Sequence, residues 1–557
     1  MGQTKRWENI LKVATVSMVV YFLYWFVRDS YEELMINPVH FFDDAYMFIR
    51  YARIWHMGYG ESWNIGEGPV YGNTSQMHFL VVLLLTSFSQ LSNEMVIKLS
   101  SYIPSLLLMV WLPWFCSRHA VFFAEKPLYQ RLLFWTATVC PFMYWMTPYA
   151  YHFLTGMDTA LSALMHLFLI DVVLTYAKRI KTVRETKWVI FAIAMMLYLS
   201  FATRPENILP CGLFVILYFS LWLDKKREVV FIIAIAGILI LVDAVFKHFY
   251  FGDIVPLAFY SKKVDYLEGF AAYVQNHPLL PVSHFLVLIL PLLLIQFFCC
   301  EKNNRKLVLV FGVPVAVITL YFLSMMSIMN IRLRYEYPFV LYLITSTILV
   351  SSHLNFSASD KSRWIKNILI SLSILGVLLV FRINSAQLVR FFMKENILCN
   401  MSMLNSPEEI DRNKYKGNDG LVQMSEYLHD LPAGTKVVMT EHGYVGANNL
   451  HINIVDVIGL HSRYIAHNGF SAEWLFAQQP DAIWVPHWNY TCLNHKIFSR
   501  PEFWEHYELY PLLFNWGIAL RKDSPHYDVM VDVLTKKVHV LYPDVNMNQL
   551  RQTTPVH

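Results

Sequence analysis

The stretch HFFDDAYMFIRYARIWHMGYGESWNIGEGPVYGNTS, His40 to Ser75, decides how this chain is read. It sets two adjacent carboxylates, Asp43 and Asp44, and then a run of Gly, Asn, Glu and Tyr, shortly after the first apolar run, ILKVATVSMVVYFLYWFV, Ile10 to Val27. At about 1.5 Å per residue that run covers roughly 27 Å, close to the thickness of a bilayer core. The acids therefore belong to a membrane surface.

Composition agrees. Of 557 residues, 56% are hydrophobic and 15% charged, against roughly a quarter charged in soluble domains. This predicts an integral membrane protein. The net charge of +4 is no nucleic-acid footprint, because Lys and Arg sit in short clusters between apolar runs, and no nucleic-acid partner is expected. The first run has no small-residue cleavage pattern after it and is expected to stay as a helix.

Eleven runs are expected to span: Ile10 to Val27, Leu99 to Cys116, Leu132 to Ala150, Ala160 to Ala177, Trp188 to Ala202, Ile208 to Leu223, Val229 to Phe246, Phe285 to Cys300, Leu307 to Met326, Pro338 to Val350 and Ile368 to Phe381. Basic clusters mark cytoplasmic loops. They alternate correctly only if the short run Met77 to Leu91 lies at the surface or re-enters without crossing. The loop 28–96 then faces outside, and it carries Arg28, Arg50 and Arg53 against eight acids. The region 385–557 is external too. Its apolar runs shorten to strand length (TKVVMT, INIVDVIGL, DAIWVP, KVHVLYP) between turn residues, with helix-like stretches such as GLVQMSEYLHDL, which predicts a small α/β domain. Of seven Cys, Cys399 and Cys492 fall in it, and an oxidising compartment would let them pair.

Two roles are open for Asp43 and Asp44. Flanked by FF and AYMFI, they are partly desolvated and close to each other, which raises at least one pKa and suits a general base. Alternatively, DDAYMFIRYARIW is an acidic cap before a helix-periodic run. The glycine-rich half of the loop reads as rigid and irregular, with Glu61, Asn64, Glu67, Tyr71 and Asn73 lining a polar groove suited to carbohydrate hydroxyls or a cation. Cations fall at other external loop ends: Arg204 in TRPEN, Lys262 and Lys263 in FGDIVPLAFYSKKVDY, and Arg332 and Arg334 in NIRLRYEYP. Singly these are membrane-edge anchors. Together they suit a phosphate whose lipid tail lies in the bilayer.

These residues resemble a known family. The loop from Asp43 to Ser75 is similar to the first external loop of the GT-C glycosyltransferases, and specifically of their AftB-type (terminal arabinofuranosyltransferase) branch, with DDAY, RYA, G-x-G, N-x-G-E and V-x-G-x-T-S steps. TGMDTAL from Thr155, TRPEN from Thr203, FGDIVPLAFYSKK from Phe251, RLRYEYP from Arg332 and EHGYVGANNLHINIVDVIGLHS from Glu441 match further steps in order. The resemblance implies a GT-C type polytopic α-helical membrane protein of about eleven transmembrane helices, with a catalytic membrane domain over 1–384 and an external α/β domain over 385–557. It implies transfer of a sugar, arabinofuranose-like or a hexose, from a polyprenyl-phosphate carrier to a glycan or protein acceptor, at the outer face of a bacterial inner (plasma) membrane. Asp43 would be the base and Asp44 its support. Arg204, Lys262, Lys263, Arg332 and Arg334 would bind the donor phosphate. Tyr46, Arg50, Asn64, Glu67, Tyr71, Asn73, Asp158 and Glu206 would bind substrate. A divalent cation at Asp43, Asp44 and Glu67 is left open. TGMDTAL has Asp158 where the family usually has Glu, and VYGNTS lacks a second acid, which bears on donor choice.

Two other functions compete. A polysaccharide polymerase or flippase predicts charges lining a path through the membrane, and Asp171 and Asp243 are nearly the only acids within spans. A non-enzymatic scaffold leaves the acidic and basic loops without a purpose.

Overall fold

The computed structural model describes residues 2–36, 42–120, 125–146, 149–176, 183–261, 293, 296–298, 304–323, 334, 337–350, 419–487, 490–511, 513–541 and 551–552. The expected span Ile368 to Phe381, most of Phe285 to Cys300, the boundary at 385, and Lys262, Lys263, Arg332 and Cys399 lie outside the described residues.

Most of the described chain is helical. Helix α1 (Gly2–Tyr31) leads into α2 (Asp43–Ile54), α3 (Gln76–Thr86) and α4 (Asn93–His119). Among the described residues, four helices are long and apolar enough to cross a membrane: Asn93–His119, Thr186–Thr203, Pro205–Trp222 and Lys226–Phe251. The last leaves Val230, Phe231, Ile238, Leu241, Val242, Phe246 and Phe249 exposed. An apolar face of that extent needs lipid against it. The chain is a membrane protein. Helix α3 has 11 residues, about 16 Å of rise, too short to cross. Ser75 and Ser92 cap α3 and α4 by accepting from the backbone N–H of His78 and Met95.

The C-terminal part builds a five-stranded sheet in the order β2-β1-β3-β5-β4. Strands β1 (Lys436–Met439), β2 (Asn453–Asp456) and β3 (Ala482–Trp484) run parallel with β1 central, while β4 (Tyr507–Pro511) and β5 (Gly517–Arg521) complete it antiparallel. Three of the four expected strand runs hold β1, β2 and β3. The fourth, KVHVLYP, does not form a strand, for its first residues end the helix Tyr527–Leu541, which buries Met530, Val533, Leu534 and Val538. That spacing is helical; the short V-H-V alternation hid it.

One apolar core joins the sheet to the acidic loop. Tyr46, Ile49 and Ala52 of α2 share it with Met424, Val437, Ile454 and Trp484, so the C-terminal unit packs directly on the loop.

Candidate active site

Helix α2 begins with Asp43 and Asp44, but its N-cap is Phe42, without a side-chain cap bond. The expectation that the acids occupy the cap of their own helix is corrected: they are its first two helical residues. About 100° apart down the axis, they face different partners.

Asp43 reaches the C-terminal unit. Its Oδ2 accepts the backbone N–H of Gly443 at 3.0 Å and its Oδ1 that of Tyr444 at 2.7 Å. These N–H groups open the helix Gly443–Asn448, so Asp43 caps a helix in the other half of the molecule. A Cβ at position 443 would collide with the backbone carbonyl of Asp43, so only glycine allows this approach. Burial raises the Asp43 pKa, while the Tyr444 and Gly443 N–H groups and His442 oppose the rise.

Asp44 turns the other way. Its side chain is 37% exposed, and Arg334 Nη1 stands 3.9 Å from its Oδ2. Arg334 Nη2 is 3.5 Å from Asp158 Oδ1, and Asp158 Oδ2 is 3.5 Å from Arg204 Nε, which also pairs with Glu206 at 3.0 Å. Asp158 is buried just before the helix Thr159–Tyr176. Burial would raise its pKa, but Arg204, Arg334 and His78 hold it below the ordinary carboxylate value. The fold thus brings together Asp43, Asp44, Arg204, Arg334, Asp158 and Glu206 from loops far apart in sequence. The contacts of Asp158 are longer than the roughly 2.8 Å of a tight carboxylate–guanidinium pair.

Of the other expected substrate-binding residues, Tyr46, Arg50, Asn64, Tyr71 and Asn73 are buried, while Glu67 is exposed. Arg50 is fully buried and donates to the carbonyls of Trp63, Gly446, Asn449 and Ile452 and to Asn64 Oδ1. Those five bonds use all five guanidinium N–H groups, and through them Arg50 fastens the loop to the C-terminal unit. Burial pushes its pKa down to about 9, still charged at neutral pH. Asn64 holds Ile454 at both its N–H and its carbonyl, and it donates to Glu67, which is exposed. Tyr46 is buried edge-on to Tyr444, and Tyr71 is buried and stacked on Phe251. Asn73 donates to Glu61. Asn64 and Asn73 thus act as internal fastenings, each satisfying a backbone group or acid that burial would otherwise leave bare.

Each acid of the possible cation set has a partner in the structure. Asp43 faces two N–H groups, Asp44 faces a guanidinium, and Glu67 is tied to Asn64. Among the described residues no group of three His, Cys, Asp or Glu is placed to hold a metal ion.

Beneath Asp43 lies a buried group the loop alone did not signal. His442 Nε2 is 3.5 Å from Asp456 Oδ1, and Asp456 accepts the N–H groups of Ile458, Gly459, His461 and Ser462. His461 stacks on Trp63 at 3.6 Å and bonds Tyr51 at 2.9 Å. Burial alone would lower the His442 pKa, but Asp456, Asp43 and Glu441 raise it. Glu441 and His442 carry a signal in sequence, a Glu-His pair between a strand run and a glycine, though nothing there ties it to Asp43.

Comparisons with known proteins add little. Residues 405–530 match the family model described as "Domain of unknown function (DUF8728)". No curated protein matches. Among solved structures the chain is similar to a crystal structure of ArnT from Cupriavidus metallidurans in the apo state, with a TM-score of 0.48 and 11% identity, over 91% of this chain and 98% of that one. At that score the likeness decides neither fold nor function.

Proposed function

We propose that this chain is a membrane glycosyltransferase of GT-C type that moves a sugar from a polyprenyl-phosphate donor to an acceptor hydroxyl of the cell envelope, at the outer face of the bacterial inner membrane. The observation that carries this is the row Asp44, Arg334, Asp158, Arg204, in which an exposed carboxylate stands 3.9 Å from one of two arginines held around a buried acid. Sugar transfer from a lipid phosphate needs that pairing: a base for the acceptor proton, and fixed positive charge where the leaving phosphate develops its own.

Asp44 takes the base role and Asp43 the structural one, the reverse of what the resemblance implies. Asp43 already accepts two backbone N–H groups, whereas Asp44 is open to solvent. In the transfer the acceptor oxygen bonds to the anomeric carbon as its proton passes to Asp44. The bond from that carbon to the phosphate oxygen breaks, and polyprenyl phosphate leaves against Arg334 and Arg204. Positive charge at the phosphate comes from these arginines, and no cation is assigned. An arabinofuranose-like sugar fits the AftB-type likeness of the loop.

A polymerase or flippase is less well supported. Asp171 is met by His119 Nε2 at 2.7 Å and Arg118 at 3.3 Å, and Asp243 by Lys247 at 2.5 Å. Each acid is neutralised in place instead of contributing to a path.

The test supplies polyprenyl-phosphate arabinose and hexose donors, with envelope glycan as acceptor, to the purified chain in detergent. Transfer by the wild type and its loss in Asp44→Asn are expected. Equal transfer by both would remove the proposal.

A further inference from the structure

The helix Lys226–Phe251, whose apolar face needs lipid, ends on a contact with the C-terminal unit. Gly252 stops it at a φ of +81°, and the guanidinium of Arg463 packs where a Cβ at position 252 would lie. Arg463 donates from Nη2 to the Gly252 carbonyl at 2.6 Å, and its Nε is 3.1 Å from Asp253 Oδ2. His467, one turn further on, meets the other oxygen of Asp253 at 2.9 Å, and its ring lies 4.2 Å from that of Tyr260. Asp253 is buried under the pair. Both Arg463 and His467 belong to the short helix Arg463–Asn468, which buries Ile465 and Ala466 in the C-terminal unit.

These bonds fix the height of that helix in the bilayer. Phe249 is 83% exposed and precedes Gly252 by less than one helical turn. Only roughly 5 Å along the axis therefore separates a side chain that must meet lipid from the carbonyl that Arg463 holds. The headgroup layer on either side of the hydrocarbon core is itself roughly 5 to 8 Å thick. The helix Arg463–Asn468 falls within it.

What this edge shows outward suits such a layer. Tyr464 is 43% exposed, and its ring stacks on Trp474 of the helix Ala472–Ala477, with centroids 5.2 Å apart. Tyr and Trp settle at the headgroup level because their rings are apolar and their O–H and N–H groups are not. The Arg463 side chain stays largely exposed while paired with Asp253, and a guanidinium at that height meets lipid phosphates. Ile254, just past the end of Lys226–Phe251, is exposed as well. Glu473, the acid beside Trp474, is met by Arg500 at 2.7 Å, so it sets no bare negative charge against the headgroups.

We propose that this edge of the C-terminal unit, formed by Arg463, Tyr464 and Trp474, rests in the lipid headgroup layer of the same membrane and is tethered there by Asp253. Its partner is the lipid surface. The unit is then held at two places, by Asp43 at the acidic loop and by Asp253 at the lipid. Nothing in this depends on sugar transfer.

Photocrosslinking of the full chain in nanodiscs of phosphatidylethanolamine and phosphatidylglycerol tests it. p-Benzoylphenylalanine replaces Tyr464, Trp474, Phe249 or Lys522 in turn, and mass spectrometry reads the lipid adducts after illumination. Lys522 is the exposed control: it follows β5 beside the amino end of β3, at the far end of the sheet from Asp43. Adducts are expected at 249, 464 and 474 and not at 522. Adducts at 249 alone would overturn the proposal, and so would a crosslink from 464 to a second protein chain in place of lipid. Adducts at 522 equal to those at 464 would do the same. Without adducts even at 249 the lipid face of Lys226–Phe251 is lost, and the headgroup contact falls with it. Asp253→Ala removes the acceptor of both Arg463 and His467, so it should cut the adduct yield at 464 severalfold and leave that at 249 unchanged. An undiminished yield at 464 would overturn the tether.

Discussion

Asp43 accepts the backbone N–H of Tyr444 at 2.7 Å, across 401 positions of sequence. A carboxylate on the first turn of one helix thereby caps another, and the cap holds the C-terminal unit to the membrane domain. Asp43→Ala should cost about 2 kcal/mol of stability, as lost caps and charge-assisted bonds do. Asp43→Asn keeps an acceptor but loses the charge that favours a helix N-terminus, so its cost should be about 1 kcal/mol. Thermal unfolding in detergent checks the order. Full stability in Asp43→Ala combined with abolished transfer would return the base role to Asp43.

Arg50 is the second fastening and the more demanding one. A lysine has the charge but only three donors on a point, and cannot reach four carbonyls and an amide oxygen at once. Arg50→Lys should therefore lose roughly 3 kcal/mol, more than Asp43→Ala, because buried carbonyls are left bare. Hydrogen exchange should rise first around Gly446 to Ile452, where those carbonyls lie. Wild-type exchange there in Arg50→Lys would show that the bonds contribute little.

The lipid-facing helices and three of the strands were legible because each depends on local pattern: uninterrupted apolar length for Lys226–Phe251, and short β-branched runs before turns for β1 and β2. The two acids and the arginines Arg204 and Arg334 were legible as chemistry, since charge at a membrane edge needs a reason. What Asp43 and Arg50 do was not. Their partners, Tyr444 and Gly446, lie some 400 positions away, and a backbone N–H or carbonyl leaves no mark in a sequence. The internal contacts of Asn64, Tyr71 and Asn73 were hidden for the same reason. A polar side chain has the same composition whether it faces a ligand or satisfies the fold.

Arg204 and Arg334 should divide from Asp44 in their effects. Removing either guanidinium takes away charge where the lipid phosphate would rest, so Arg334→Ala and Arg204→Ala should weaken undecaprenyl phosphate binding roughly 10-fold or more. Asp44→Asn removes a negative charge from the same neighbourhood and should bind that lipid at least as well, while turnover falls roughly 10² to 10⁴-fold. Binding by fluorescence quenching and transfer measured side by side make the comparison. Weakened lipid binding in Asp44→Asn, with both arginine variants unaffected, would invert the assignment.

Glu61 gives the chain a stability that depends on pH, with a definite sign. The residue is 4% exposed, and its Oε1 accepts from Asn73 at 2.9 Å and Gln76 at 3.3 Å. Burial lifts its pKa from 4.5 to about 7, with the two amides and Lys247 opposing the lift. Between those values the folded chain binds more proton than the unfolded one, so stability falls as pH rises, and the whole penalty is present above pH 7. The size is up to about 3 kcal/mol. Glu61→Gln keeps an oxygen for Asn73 and Gln76 and cannot ionise. It should therefore melt higher than the wild type on the alkaline side of neutrality and at the same temperature in acid below the ordinary glutamate pKa. A melting difference independent of pH would mean that Glu61 acts through shape alone, and a Glu61→Gln chain that melts lower than the wild type on the alkaline side would mean that its charge is stabilised in the fold.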